Sequence, residues 1–225
     1  TNEFPAANNH VLHSLAMGLM YNIFGQQEYV LRLPVLISFI VFIGFIFKIS
    51  MRLSSKMWWM PFVLIIYQPY LLDYFVAARG YALALAFMFG SIYCLFLFAE
   101  ESRTKWMWIS LILAALAAYS NFTYLLVFIA VSMAVLLLSV QKSKTVEGSI
   151  AAGFISLVLA VIVYKPIMQL VEAKELYYGG NSGFFEDTLS TLARSFVYTA
   201  SEFNVLAGFF VVIIFYIAFY HKINK

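Results

Sequence analysis

From residue 30 onward the chain alternates long apolar runs with short polar interruptions. With a helical period, the runs mark seven candidate membrane spans, at about 30–48, 57–72, 79–99, 106–120, 122–140, 149–165 and 203–220. Two stretches break this rhythm. The first, NHVLHSLAMGLMYNIF at 9–24, sets His10, Ser14, Gly18 and Asn22 four apart, a narrow polar stripe on an otherwise apolar helix. Its sixteen residues extend about 24 Å as a helix, short of a hydrocarbon core about 30 Å thick. The spacing therefore predicts a helix lying at the membrane surface, capped by Asn8 or Asn9 and ended by Gly25. The second stretch is 166–202, where a turn-rich YYGGNSG precedes Leu189, Leu192, Ala193, Phe196 and Val197 at amphipathic spacing. A loop of that length is expected to pack over the mouth of a bundle.

Composition turns these runs into a class. Hydrophobic residues make up 64% of the chain and charged ones 11%, against roughly a quarter in a soluble domain. The chain is therefore an integral membrane protein, and runs of this length favour helices over the weak alternation of a membrane barrel. The expected fold is an all-α polytopic bundle of about seven transmembrane helices plus an outer juxtamembrane helix. In order, residues 1–28 form an outer loop with that helix, 30–165 six spans, 166–202 an outer loop and 203–220 the seventh span. The single Cys94 lies in an apolar run, so no disulfide framework exists. Thr1 is not preceded by a methionine, which suggests a fragment of a longer protein that lacks an earlier span and a C-terminal part.

Charge placement supplies the orientation. With the C-terminal end cytoplasmic, Lys48, Arg52, Lys56, Arg103, Lys105, Lys142, Lys144, Lys222 and Lys225 fall inside; only Arg32, Arg79, Lys165, Lys174 and Arg194 fall outside. Most acidic residues gather on the outer side, making it the face with chemical potential.

Within that face, YLLDYFVAARGYALALAF at 70–87 places Asp73 and Arg79 between two spans. In one reading Arg79 snorkels to the interface and Asp73 is a loop residue. In the other, an arginine at the start of a helix adds a forked cation to the positive end of the dipole and suits a phosphate, with Tyr74 and Tyr81 offering hydroxyls. His10 and His13 lie three apart with Glu3 and Asn9 nearby; without a dependable third ligand a metal site is not assigned, and contact with substrate or headgroup competes with plain packing. Of the two, His13 is off the polar stripe and is the poorer candidate. Arg32 is expected to pair with Glu28 four residues earlier. Asn121, in YSNFT, matches a glycosylation pattern, but a turn this tight beside the membrane makes a poor acceptor. Tyr177, Tyr178, Phe184, Glu186 and Asp187 interleave rings and carboxylates in the long outer loop. No soluble-enzyme signature and no nucleic-acid-binding tract is present.

The order FPAANNHVLHSLAMGLMYNIFG, YVLRLP, AARGYALAL, AAYSNFTYLL and YYGGNSGFFEDTLSTL resembles the GT-C membrane glycosyltransferases. The likeness is to the protein-O-mannosyltransferase and aminoarabinose-transferase-like superfamily, in its bacterial branch. The resemblance implies transfer of a sugar from a polyprenyl-phosphate donor to a glycan, lipid or protein acceptor, at the periplasmic or extracellular face of a bacterial inner membrane. It implies Arg79 as the donor-phosphate contact and Asn9 and His10 among the residues lining the site; Asp73, Tyr81 and Tyr178 are substrate-binding candidates from the residues themselves. The general base it implies sits soon after a first span that this chain lacks, which leaves Glu3 as a weak stand-in. No cofactor is certain, and a divalent metal is compatible with the family. The alternatives are a polytopic transporter and a non-catalytic GT-C-like subunit.

Overall fold

In a computed structural model, residues 10–76 and 80–172 are described. Glu3, Asn8, Asn9, Arg79, Tyr178, the rest of the loop beyond 172 and the span expected at 203–220 lie outside the described residues. Among the described residues the apolar runs are helices and no strand occurs. In chain order they are α1 (Val11–Phe24), α2 (Glu28–Leu53), α3 (Trp59–Ile66), α4 (Pro69–Val76), α5 (Tyr81–Glu101), α6 (Thr104–Ser120), α7 (Leu125–Gln141) and α8 (Thr145–Glu172). A single 3-10 turn, Phe122–Tyr124, leads into α7.

Four stretches are long and apolar enough to cross a membrane: Glu28–Leu53, Tyr81–Glu101, Phe122–Gln141 and Thr145–Gln169. The 17-residue α6 links the second of these to the third. The expected span at 57–72 differs. It is two helices of 8 residues each, parted at Tyr67–Gln68. Pro69 has no N–H to continue the ladder and pushes the residue before it out of the α region. The break is finished on both sides, with Tyr67 N–H bonding to Val63 O at 2.9 Å and Gln68 Oε1 accepting from Leu71 N–H at 2.7 Å. Packing divides the chain into one unit, Thr1–Tyr67 with Asp73–Leu176, and a second to which Gln68–Leu72 belongs. The contacts that follow all lie in the first unit.

Position around the helix, more than polarity, separates inside from outside. On α7, Leu126, Ile129, Met133, Leu137 and Val140 point outward at helical spacing, while Phe128, Val131, Val135 and Ser139 are buried. In hydrocarbon both faces are equally apolar, so helices associate where small residues let backbones approach. The α5–α6 hairpin is the clearest case: Ala82, Ala84, Ala86, Gly90 and Ser91 of α5 and Ser110, Ala114, Ala117 and Ala118 of α6 are all buried. A Cβ on Gly90 would come within 2.8 Å of the Phe45 ring, so glycine there also seats α2. Phe42, 1% exposed, contacts the rings of Phe75 and Phe89 at 4.9 and 5.2 Å between centroids.

At one end of this unit the helices are tied by charge. Arg52 of α2 pairs with Glu100 of α5 and lies over the Tyr93 ring at 5.3 Å. Thr104 Oγ1 donates to Glu147 Oε2 at 2.9 Å and accepts from Lys144 Nζ at 2.8 Å, joining the start of α6 to the start of α8. The opposite end carries the candidate site.

Candidate functional site

Three segments far apart in sequence meet at that second rim: the start of α1, the start of α5 and the end of α6. His10 occupies the N-cap position of α1, where Asn8 or Asn9 was expected; its backbone carbonyl receives Ser14 N–H at 2.9 Å and its side chain caps nothing. The imidazole turns away from its own helix. His10 Nδ1 lies 3.2 Å from the carbonyl oxygen of Ser120. A carbonyl can only accept, so Nδ1 carries the proton. The acceptor is available because the last four carbonyls of a helix have no partner within it.

Gly80 makes this approach possible. Its φ of −64° is open to any residue. Space is what demands glycine. A Cβ at position 80 would sit 2.6 Å from both His10 Cβ and the Ser120 oxygen, and 2.7 Å from His10 Cγ. The next residue, Tyr81, meets the His10 ring edge to face at 4.9 Å and stacks on Tyr74 at 4.6 Å. His10, Tyr81 and Tyr74 thus form a short aromatic column, with Asp73 one residue earlier on α4 and exposed.

The neighbouring turn is built by Asn121. Its Oδ1 accepts from Thr123 N–H at 3.0 Å and from Thr123 Oγ1 at 2.8 Å. It is 8% exposed, so its side chain is committed to the turn, in accord with a poor glycosylation acceptor.

Of the residues singled out from sequence, the structure brings together His10 and Tyr81, with Tyr74 beside them. Arg79, Asn9, Tyr178 and Glu3 lie outside the described residues. Arg32 pairs with Glu28 at 2.8 Å, as its spacing predicted. The polar stripe of α1 does not mark its buried face: Ser14, Gly18 and Asn22 are exposed, whereas His13, off the stripe, is 2% exposed. For a helix at a membrane surface both faces are largely apolar, so a polar stripe does not report which side meets protein. Among the described residues no three His, Cys, Asp or Glu side chains come together to hold a metal. Ser120 and Gly80 were missed as site residues. Gly80's place within ARGY, directly before a long apolar run, was the available signal.

A polytopic helical membrane protein with histidine, tyrosines and a helix-end carbonyl converging on one rim is the class that fold and site define. The profile of the dolichyl-phosphate-mannose-protein mannosyltransferase family matches residues 9–167, which spans all three converging segments, and the chain belongs to that family of GT-C glycosyltransferases. Neither the curated proteins nor the solved structures give a match.

Proposed function

We propose that the protein transfers a sugar from a polyprenyl-phosphate donor to an acceptor hydroxyl at the outer face of the membrane. The observation that carries this reading is the convergence of His10, Gly80–Tyr81 and Ser120 on a single rim, within the stretch that the family profile covers. A lipid-linked donor suits such a rim. Its isoprenoid tail stays in hydrocarbon while its phosphate and sugar emerge at headgroup depth. The middles of the candidate spans carry no Asp, Glu, Lys or Arg, where a transporter would be expected to keep ionisable groups.

In the proposed reaction the acceptor hydroxyl attacks the anomeric carbon, the bond from that carbon to the phosphate oxygen breaks, and the hydroxyl proton passes to a carboxylate. Arg79 holds the leaving phosphate through charge-assisted hydrogen bonds. Asp73 and the Tyr81 hydroxyl contact sugar hydroxyls, and Asn9, His10 and Tyr178 line the same site. Glu3 is the candidate base in this chain. Glycan, lipid and protein acceptors all supply the required hydroxyl. The excess of Lys and Arg at the Arg52–Lys144 end supports a cytoplasmic location for that end and an outer, periplasmic or extracellular, location for the site. A bacterial inner membrane fits this arrangement.

The test is transfer of a sugar from polyprenyl-phosphate donors by the protein reconstituted in vesicles. Arg79→Ala is expected to lower turnover by about 10²–10³-fold, the weight of one transition-state donor, with membrane insertion unchanged. Full activity in that variant would remove the proposed phosphate site.

A further inference from the structure

We infer that Lys48 and Arg52, gathered on the Tyr93 ring at the rim opposite the candidate site, bind the phosphate of an acidic membrane phospholipid whose acyl chain lies along α2 over Gly44. The inference is independent of the proposed transfer reaction, in which none of these residues takes part.

Charge comes first. Lys48 and Arg52 are four apart on α2, a spacing at which like charges repel. Lys48 Nζ lies 5.4 Å and Arg52 Cζ 5.3 Å from the centroid of the Tyr93 ring, so both cations are drawn to one residue of α5. A single carboxylate serves them. Glu100 pairs with Arg52, and among the described residues no carboxylate pairs with Lys48. By contrast, Arg32–Glu28 and Lys144–Glu147 are matched one to one. Two cations against one carboxylate leave one positive charge, the complement of a phosphodiester. The donors suit it as well: the ammonium offers three N–H bonds and the guanidinium five, of which Glu100 engages only the Nη1 group.

The surroundings make the phosphate a lipid's. Phe47, next to Lys48, joins Trp58 and Phe62 in a ring cluster with centroids 5.2 and 5.9 Å apart, and Trp59 is exposed. Such rings collect at headgroup depth. Towards the middle of α2, Ile37, Val41, Gly44 and Lys48 follow one another on one exposed face, at steps of four, three and four residues. A Cβ on Gly44 would meet nothing within 4 Å, so glycine leaves a notch one turn from the ammonium. Ile37 to Lys48 spans about 16 Å of helix, close to half of a hydrocarbon core about 30 Å thick. One acyl chain of one leaflet has that reach. An acidic headgroup matches the surplus charge, whereas a zwitterionic one carries its own ammonium, which Lys48 repels.

The experiment places the full chain in nanodiscs of equal phosphatidylglycerol and phosphatidylcholine and counts the lipids it retains by native mass spectrometry. Thermal stability in pure phosphatidylcholine is recorded for each variant. The parent is expected to retain phosphatidylglycerol in preference. Lys48→Gln is expected to weaken that preference about fivefold, the weight of one basic side chain at an acidic lipid surface, and Lys48→Arg to keep it. Glu100→Gln, which removes the carboxylate competing for Arg52, is expected to strengthen it, and Gly44→Leu, which fills the notch without touching charge, to weaken it. Glycerophosphoglycerol, the headgroup without chains, is expected not to displace the lipid. Equal retention of the two lipids by the parent, or an unchanged preference in Lys48→Gln, would overturn the inference. Displacement by the headgroup alone would assign a soluble phosphate instead and overturn the lipid. Should Lys48→Gln fail to fold, Glu100→Gln decides, because a preference that does not rise there is equally fatal.

Discussion

Ser91 and Ser110 hold the central hairpin together by exchanging hydrogen bonds across it. Ser91 Oγ donates to the Ser110 carbonyl at 2.8 Å and Ser110 Oγ to the Ser91 carbonyl at 2.9 Å, with both residues fully buried. Each hydroxyl reaches a backbone oxygen, so each survives removal of the other's hydroxyl. Ser91→Ala and Ser110→Ala should therefore each cost about 0.5–1 kcal/mol, the range for interhelical hydrogen bonds in membranes, and the double variant should be close to their sum. Equilibrium unfolding in a lipid–detergent mixture checks this. Ser91→Leu should cost more than both together, because it forces the backbones apart.

A second close approach joins α7 to α8. A Cβ on Gly148 would lie 2.5 Å from Ser139 Cβ, an atom that no rotamer change moves. Gly148→Ala should destabilise by about 1–3 kcal/mol as an overpacking change. Ser139→Gly on the same background should recover most of that loss, measured by the same unfolding assay. A loss that persists in the double variant would show that the strain lies elsewhere.

The Asn121 turn separates two parts of an asparagine's chemistry. Only its oxygen accepts from Thr123, so Asn121→Asp keeps the acceptor and Asn121→Ala removes it. The alanine variant should lose about 1 kcal/mol, a typical cap value, and the aspartate variant far less.

Orientation can be checked without any substrate. With Cys94 replaced by alanine, cysteines introduced as Gln26→Cys and Gln141→Cys occupy exposed positions at opposite ends of the unit. A membrane-impermeant maleimide should label position 26 in intact cells and position 141 only after permeabilisation. The reverse pattern would place the site on the cytoplasmic side and overturn the outer-face reaction.

Much of this architecture was legible in the sequence because length and apolarity alone specify a membrane helix. The runs at 30–48, 122–140 and 149–165 each fall within a candidate span, and the run at 79–99 overlaps the span Tyr81–Glu101. The 57–72 run was not a single helix because Pro69 sits where a continuing helix needs an N–H, a local effect that an apolar average hides. His10 and Tyr81 were readable as site candidates because polar groups at the end of an apolar run are costly without a use. Gly80 and Ser120 were not readable, because their part is geometric. One supplies empty space and the other a backbone oxygen, and neither leaves a mark in hydropathy. The burial of His13 was not readable, because in lipid the buried face of a helix need not be its apolar one.

The bond between His10 and Ser120 spans 110 positions of chain. At synthesis rates of roughly 5–20 residues per second, the first helix leaves the ribosome roughly 5–20 s before its anchor has been made. During that interval α1 has no such partner, and the rim where His10, Gly80 and Ser120 meet cannot form until translation passes the turn at Asn121. Seating of α1 is thus set by the emergence of a segment more than a hundred residues later.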